Sequence, residues 1–117
     1  LIRTLERGGA VFGAFVCGAL KGFCSVEAPP LGSRGQYRDL TSLHVSRELR
    51  GQGMGKKLFA LAADAARRMG GEKLYISSHS AVETQAFYRG MGCRDAEEID
   101  AAHAAREPFD CQLEYIL

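Results

Sequence analysis

The four cysteines, Cys17, Cys24, Cys93 and Cys111, form no Cys-x-x-Cys pair, so the spacing that a zinc site needs is missing. They fall in strand-like segments and are expected as buried free thiols in a reducing cytoplasm, with no metal. A charge excess is missing too. Against 15 basic residues stand 14 acidic ones, which leaves no electrostatic footprint for a nucleic-acid partner. The longest apolar run, Ala10 to Leu20, is too short and too broken by glycine to span a bilayer. No signal peptide precedes it, so a cytoplasmic protein without a membrane partner is expected. Internal repeats and low-complexity tracts are absent. An initiator Met is lacking as well, because the chain opens at Leu1 in front of strand material. What remains, 46% hydrophobic and 25% charged over 117 residues, is the composition of one small globular domain covering residues 1–117.

The periodic stretches can be taken in order. Val11 to Val16 and Leu20 to Val26 are rich in β-formers, and Cys17-Gly18-Ala19 joins them tightly. This pattern predicts an antiparallel hairpin, thinned by Gly13 and Gly22 at expected bulges. Pro29 to Gly35 is a turn-rich loop. Tyr37 to Val45 reads as a third strand. In Met54 to Met69 the apolar positions Leu58, Leu61, Ala62, Ala65 and Met69 recur at helical spacing, and Gly70-Gly71 closes the helix. Lys73 to Ser77 is a fourth strand. Ser80-Ala81-Val82-Glu83 has the capping-box pattern, with Ser80 as N-cap of a helix carrying Phe87 and Met91 and ending at Gly92. Cys93 to Ile99 and Phe109 to Leu117 are the expected last strands, and Asp100 to Glu107 between them suits a helical turn. Strands and helices intermix without strict alternation, so the class is mixed, layered α/β.

The chemistry centres on Arg50-Gly51-Gln52-Gly53-Met54-Gly55, between the third strand and the helix. Three glycines in five residues let the backbone turn sharply and leave its N–H groups uncovered. These lie beside the unpaired N–H groups and positive dipole end of the helix, a place suited to phosphate. A Walker loop is excluded, because Gly55-Lys56 is followed by Lys57 rather than a hydroxyl residue. The dinucleotide fingerprint fails as well, since Lys56 stands where a small residue is required.

The spacing that does match is Arg/Gln-x-x-Gly-x-Gly/Ala, through Arg50, Gly53 and Gly55. It resembles the acetyl-CoA pyrophosphate loop of the GNAT superfamily of N-acetyltransferases. Gln85 to Cys93 is similar to the Phe-Tyr-x-x-x-Gly-Phe segment of that family, with Cys93 replacing the final aromatic. The resemblance implies a mostly antiparallel mixed sheet with a splayed central strand pair flanked by helices, the acyl-CoA N-acyltransferase fold. It also implies that the chain lacks the family's opening strand and two helices, for which truncation is the expected reason.

The same resemblance implies acetyl-CoA as cosubstrate and direct transfer of its acetyl group to a primary amine of a small molecule or protein. Its main-chain contacts are expected on Leu43, His44 and Val45, with the N–H groups of Leu43 and Val45 facing the thioester and pantetheine. Pyrophosphate is expected on Arg50, Gly51, Gln52, Gly53, Met54, Gly55 and Lys56, and Lys56 or Lys57 could meet the 3′-phosphate. The family's pantetheine-binding Asn is replaced by Ala81, so that side-chain contact is expected to be absent or to come from Ser78, His79 or Ser80. Tyr88 matches the tyrosine that protonates the departing sulfur. For the base that deprotonates the amine the candidates are Asp39, placed in phase with Leu43 and Val45 along the strand, and His79. Glu27 and Glu114 could hold a cationic amine. Asp95, Glu97, Glu98 and Asp100 form an acidic patch that would favour a cationic acceptor if it lines the mouth. Family members commonly dimerise, and an exposed sheet edge would favour a homodimer. The alternative function is a non-catalytic acyl-CoA-binding or regulatory module on the same fold.

Overall fold

The computed structural model describes residues 8–16, 18–47 and 53–117. Within them lie β1 (Ala10–Val16), β2 (Ala19–Val26), β3 (Tyr37–Val45), α1 (Met54–Arg68), β4 (Lys73–Ser78), α2 (Val82–Gly90), β5 (Arg94–Asp95), α3 (Ala101–Arg106) and β6 (Cys111–Ile116). The strands form a six-stranded sheet in the order β1-β2-β3-β4-β6-β5. β3 and β4 are parallel, and the other neighbours are antiparallel. The mixed, mostly antiparallel α/β class is therefore as expected.

The β1–β2 hairpin turns through Gly18 at φ +79°, and Cys17 lies outside the described residues. Its register shifts next to the Ala14–Gly22 pair, skipping Lys21, so a bulge does sit beside Gly22. Gly22 has a second reason to be glycine. A Cβ there would come within 3.0 Å of the His44 carbonyl and 3.2 Å of Leu58, so its absence lets α1 lie close on the sheet.

α1 crosses over one face, as a parallel pair requires. It buries Leu58, Phe59, Ala62, Ala63, Ala65 and Ala66. Leu61, expected inside, is 43% exposed. The buried stripe runs through 58, 59, 62, 63 and 66, which turns Leu61 outward. Phe59 is the hub of this core. Its ring meets Tyr115 at 4.9 Å and, more distantly, Phe87 and Tyr88. Cys24 and Cys93 are buried free thiols, as expected, and Cys111 is half-buried and also free.

The opposite face is polar. Glu114 is fully buried there, yet its carboxylate accepts from Tyr37 Oη (2.5 Å), Arg94 Nε (2.8 Å), the Glu97 N–H (3.0 Å) and Lys73 Nζ (3.2 Å). Glu114 is therefore a structural carboxylate, not one open to an acceptor amine. Burial alone would raise its pKa, but these donors outweigh it and hold the group at about 2. Its demand for donors also corrects an expected strand. Only Arg94–Asp95 pairs with β6, because the Glu97 N–H turns to the Glu114 side chain instead of a strand neighbour. Ser80 is not the N-cap of α2. That position is Ala81, with no side-chain cap, and α2 begins at Val82. Among the described residues no helix is long and apolar enough to cross a membrane.

Glu114→Gln leaves Lys73 and Arg94 with only the exposed Glu97 as counter-charge and should cost about 2–4 kcal/mol, or about 10 °C or more in Tm. Because the folded pKa lies below the ordinary carboxylate value, Glu114 stabilises the parent above pH about 4.5, and that contribution is lost as pH falls toward about 2. Thermal unfolding of both proteins from pH 7 to 3 should therefore show a gap that narrows on acidification.

Candidate active site

β3 and β4 share only the pairs Tyr37–Lys73, Arg38–Leu74 and Asp39–Tyr75. Beyond Asp39 they separate. Just past that point β3 carries a bulge against β2: Ser25 pairs with Ser42 and Val26 with Leu40, skipping Thr41. A bulge bends and twists its strand, and this one sits where β3 leaves β4. The Ser46 N–H donates to the Lys21 carbonyl of β2 at 2.7 Å. Alternation therefore turns the His44 N–H toward β2 and those of Leu43 and Val45 toward the gap.

The gap opens into a cleft of about 840 Å³ lined by residues of β3, the start of α1 and α2, among them Leu43, Val45, Gly53, Gly55, Ala81 and Tyr88. The N-terminus of α1 faces it. Gly53 is the N-cap, at φ +80°, and no side chain caps the helix. The first intrahelical bond there is Lys57 N–H to Gly53 O at 3.1 Å, so the preceding N–H groups have no helical partner. The first turn contains no acidic residue, and Lys56 and Lys57 add positive charge. The result is an electropositive, glycine-lined anion site. Gly55 has a packing reason as well, because a Cβ there would come within 3.0 Å of Phe87 Cε1.

The sequence-derived residues divide cleanly. Leu43, His44, Val45, Gly53, Gly55, Lys56 and Tyr88 line the cleft. His44 does so with its main-chain N–H turned away and its ring against Phe23, 5.7 Å between centroids. Met54 packs against the core. Arg50, Gly51 and Gln52 lie outside the described residues. Ser80 and His79 are exposed and do not line the cleft. His79 Nδ1 accepts the Ala81 N–H at 3.0 Å, and Ser78 Oγ accepts from Gln85 Nε2 at 2.8 Å. Ala81 itself lines the cleft, without a side-chain amide.

Tyr88 is nearly buried, and burial pushes its phenol up to about 12. It stays protonated across the physiological range and can donate a hydrogen bond to a developing thiolate. Complete transfer to a thiolate of pKa about 8.5 would be uphill.

Asp39 does not line the cleft. The bulge at Thr41 breaks the expected phase, so Leu40, Leu43 and Val45 pack with the core while Asp39 points to the opposite face. There its Oδ2 meets His103 Nε2 at 2.6 Å, and burial raises its pKa despite the opposing imidazole. His103 was not among the sequence candidates. Its one local signal is Asp100 three residues earlier, whose carboxylate accepts the His103 N–H at 3.1 Å as the N-cap of α3. The acidic patch proves to be committed elsewhere. Asp95 pairs with Arg89 at 2.8 Å, Glu97 with Lys73 and Arg94 at 3.2 Å, and Glu98 accepts the Ser33 N–H at 2.6 Å. Among the described residues no cluster of His, Cys, Asp and Glu could hold a metal ion.

Comparison with known proteins agrees with this geometry. The family model described as acetyltransferase (GNAT) family matches residues 2–93. The uncharacterized N-acetyltransferase YjgM of Escherichia coli (strain K12) is 31% identical over 87 residues, which are 74% of this chain and 50% of that protein. The chain thus spans about half the length of that curated relative. The PaiA N-acetyltransferase of Thermoplasma acidophilum, solved in complex with coenzyme A, superposes with a TM-score of 0.71 at 20% identity, over 93% of this chain and 61% of that one. A GNAT-family acetyltransferase from Staphylococcus aureus Mu50 gives 0.78 at 18% identity, over 97% and 70%. With a family match across most of its length, the chain belongs to the acetyltransferase (GNAT) family.

Proposed function

We propose that the chain is the catalytic domain of an N-acetyltransferase that moves the acetyl group of acetyl-CoA directly to a primary amine of a small molecule or protein. The observation that carries this reading is the strand gap running into an uncapped, glycine-lined helix N-terminus, with a buried phenol in the same cleft. The N–H groups of the first turn of α1, with Lys56 beside them, suit a pyrophosphate. The N–H groups of Leu43 and Val45 suit the pantetheine amides and the thioester oxygen, where one of them would polarise the carbonyl.

Asp39 stands at the last rung before the gap, on the face opposite Tyr88. An amine arriving there as an ammonium ion gives one proton to Asp39 and becomes nucleophilic. Its nitrogen then forms the C–N bond as the C–S bond breaks, and the second proton it sheds ends on the sulfur. Tyr88 stabilises that sulfur by donating a hydrogen bond. A preference for cationic acceptors draws no support from the acidic patch, whose carboxylates are engaged by partners within the fold. Phe15 and Leu20, exposed on the outermost hairpin, offer an apolar edge for a homodimer.

A second reading, an acyl-CoA-binding module without turnover, is favoured by Ala81, which offers the cleft no side-chain amide. Binding of acetyl-CoA with no consumption across an amine panel would select it.

Two outcomes are expected. Titration calorimetry should give micromolar acetyl-CoA binding that is lost when Gly53 and Gly55 are both changed to Val. Gly53 cannot hold φ +80° with a branched side chain, and the second Val collides with Phe87. Unchanged binding by the folded double variant would remove the cofactor from this loop. Tyr88→Phe should lower kcat about 10–100-fold with acetyl-CoA affinity unchanged, as expected for a donor needed chiefly by the leaving sulfur. Parent-like kcat would end that role.

A further inference from the structure

Outside the cleft, the strongest titratable cluster lies where β3 and β4 part. His103 is gripped at both ring nitrogens, Nε2 at 2.6 Å from Asp39 Oδ2 and Nδ1 at 2.5 Å from Asp100 Oδ2. Side-chain exposures of 13% for His103, 10% for Asp39 and 26% for Asp100 put the trio largely out of water. The Asp100 N–H donates to the Tyr75 hydroxyl at 2.8 Å, and the Tyr75 ring packs edge-on to His103 at 5.3 Å. A neutral imidazole has one N–H, so between two carboxylates one of these short contacts would set lone pair against lone pair. With both carboxyl groups ionised, only the imidazolium satisfies both. Burial opposes its charge, but Asp100 and Asp39 outweigh burial and hold the His103 pKa above the ordinary value.

Asp39 is under opposing influences. Burial favours its neutral form, His103 from α3 favours the carboxylate, and Glu27 from beyond β2 and Asp100 add repulsion. Tyr75 faces it across the last rung, and Arg106 bears on Asp100. Among these groups His103 is the cation in direct contact with Asp39. It occupies Oδ2, whereas Oδ1 takes no hydrogen bond among the described residues.

We propose that His103, oriented by Asp100, is a positioning residue that fixes the Asp39 carboxylate in its charged form beside the strand gap, so that Asp39 Oδ1 receives the acceptor amine. This rests on the reading of Asp39 as the amine-facing base. His103 itself touches no substrate, since both its nitrogens are engaged. Its loss leaves burial and the neighbouring carboxylates unopposed at Asp39, which then holds its proton to higher pH. The acidic limb of activity moves the same way.

A purely structural anchor for α3 would alter stability and leave that titration alone, so the test reads the titration. The carboxyl carbon of Asp39 is followed by ¹³C NMR against pH in the parent, His103→Gln, Asp100→Asn and, for assignment, Asp39→Asn. Amide spectra check that each variant is folded. n-Butylammonium is then added as the amine probe with CoA present. The Asp39 midpoint should rise by about one pH unit or more in His103→Gln, about a tenfold change in proton affinity, and by less in Asp100→Asn. The amine should shift the Asp39 signal in the parent, and the pH above which it binds should rise in His103→Gln together with the Asp39 midpoint. An unmoved midpoint, or an amine-binding pH profile identical in both proteins, overturns the role of His103 while leaving Asp39 as the amine site. A parent signal that the amine never perturbs overturns the reading of Asp39 itself, and this inference with it. Should His103→Gln fail to fold, Asp100→Asn, which keeps the Nε2 contact, carries the same comparison.

Discussion

Three rungs of parallel pairing, from Tyr37–Lys73 to Asp39–Tyr75, join the two halves of the sheet, and the rest of the arrangement depends on their number. A fourth rung would turn the N–H groups of β3 into ladder bonds and close the gap. Fewer would leave β1-β2-β3 tied to β4-β6-β5 mainly through α1. The bulge at Thr41 fixes the count from the other side, because a strand bent against β2 cannot stay level with β4. Gly22 belongs to the same constraint. By leaving room for Leu58 and Met54 of α1 against β2, it brings the N-terminus of the helix to the mouth of the gap.

The two faces of the sheet are stabilised by different physics. On the α1 side, burial of Leu58, Phe59, Leu74, Ile76 and Leu113 contributes the usual 1.5–3 kcal/mol or so per large side chain. On the other side the covering loop has one six-residue helix, α3, with no buried residue. Its hold on the sheet is polar: Glu97 to Glu114, the Asp100 N–H to Tyr75, and His103 to Asp39. Such contacts are directional, and they tolerate loss of a partner poorly. A loop held this way is positioned side chain by side chain rather than by bulk packing.

Periodicity and glycine spacing are enough to read Tyr37–Val45 at its observed bounds, the α1 helix to within one residue of its end, and the glycine turn at Gly53 that opens it. Those features are local, since a 3.6-residue repeat and a positive φ leave their mark in neighbouring residues. Most of what escaped was set at a distance. Cys93–Ile99 alternates well enough for a strand, but the carboxylate of Glu114, 17 residues on, takes the Glu97 N–H. The capping box at Ser80 yields to His79, whose ring already holds the Ala81 N–H. The bulge that reverses Asp39 depends on the register of β2. His103 meets Asp39 across 64 residues, and no window of sequence joins them.

That reversal first looks like evidence against Asp39, because it removes the carboxylate from the cleft that holds Tyr88. The geometry of acyl transfer argues otherwise. A nucleophile approaches a carbonyl carbon from one side, and the thiolate departs in another direction. The group that takes a proton from the amine and the group that donates to the sulfur are therefore best kept apart. Side by side, a carboxylate and a phenol would hydrogen-bond to each other and serve neither end. A gap in a sheet allows two proton-handling groups to act on one carbon from opposite faces, each with its own surroundings. Burial keeps Tyr88 protonated, and Asp39, in the role proposed for it, has His103 opposing the burial that would neutralise it. The bulge that spoils the simple alternation of β3 is what puts the two proposed carriers on separate faces.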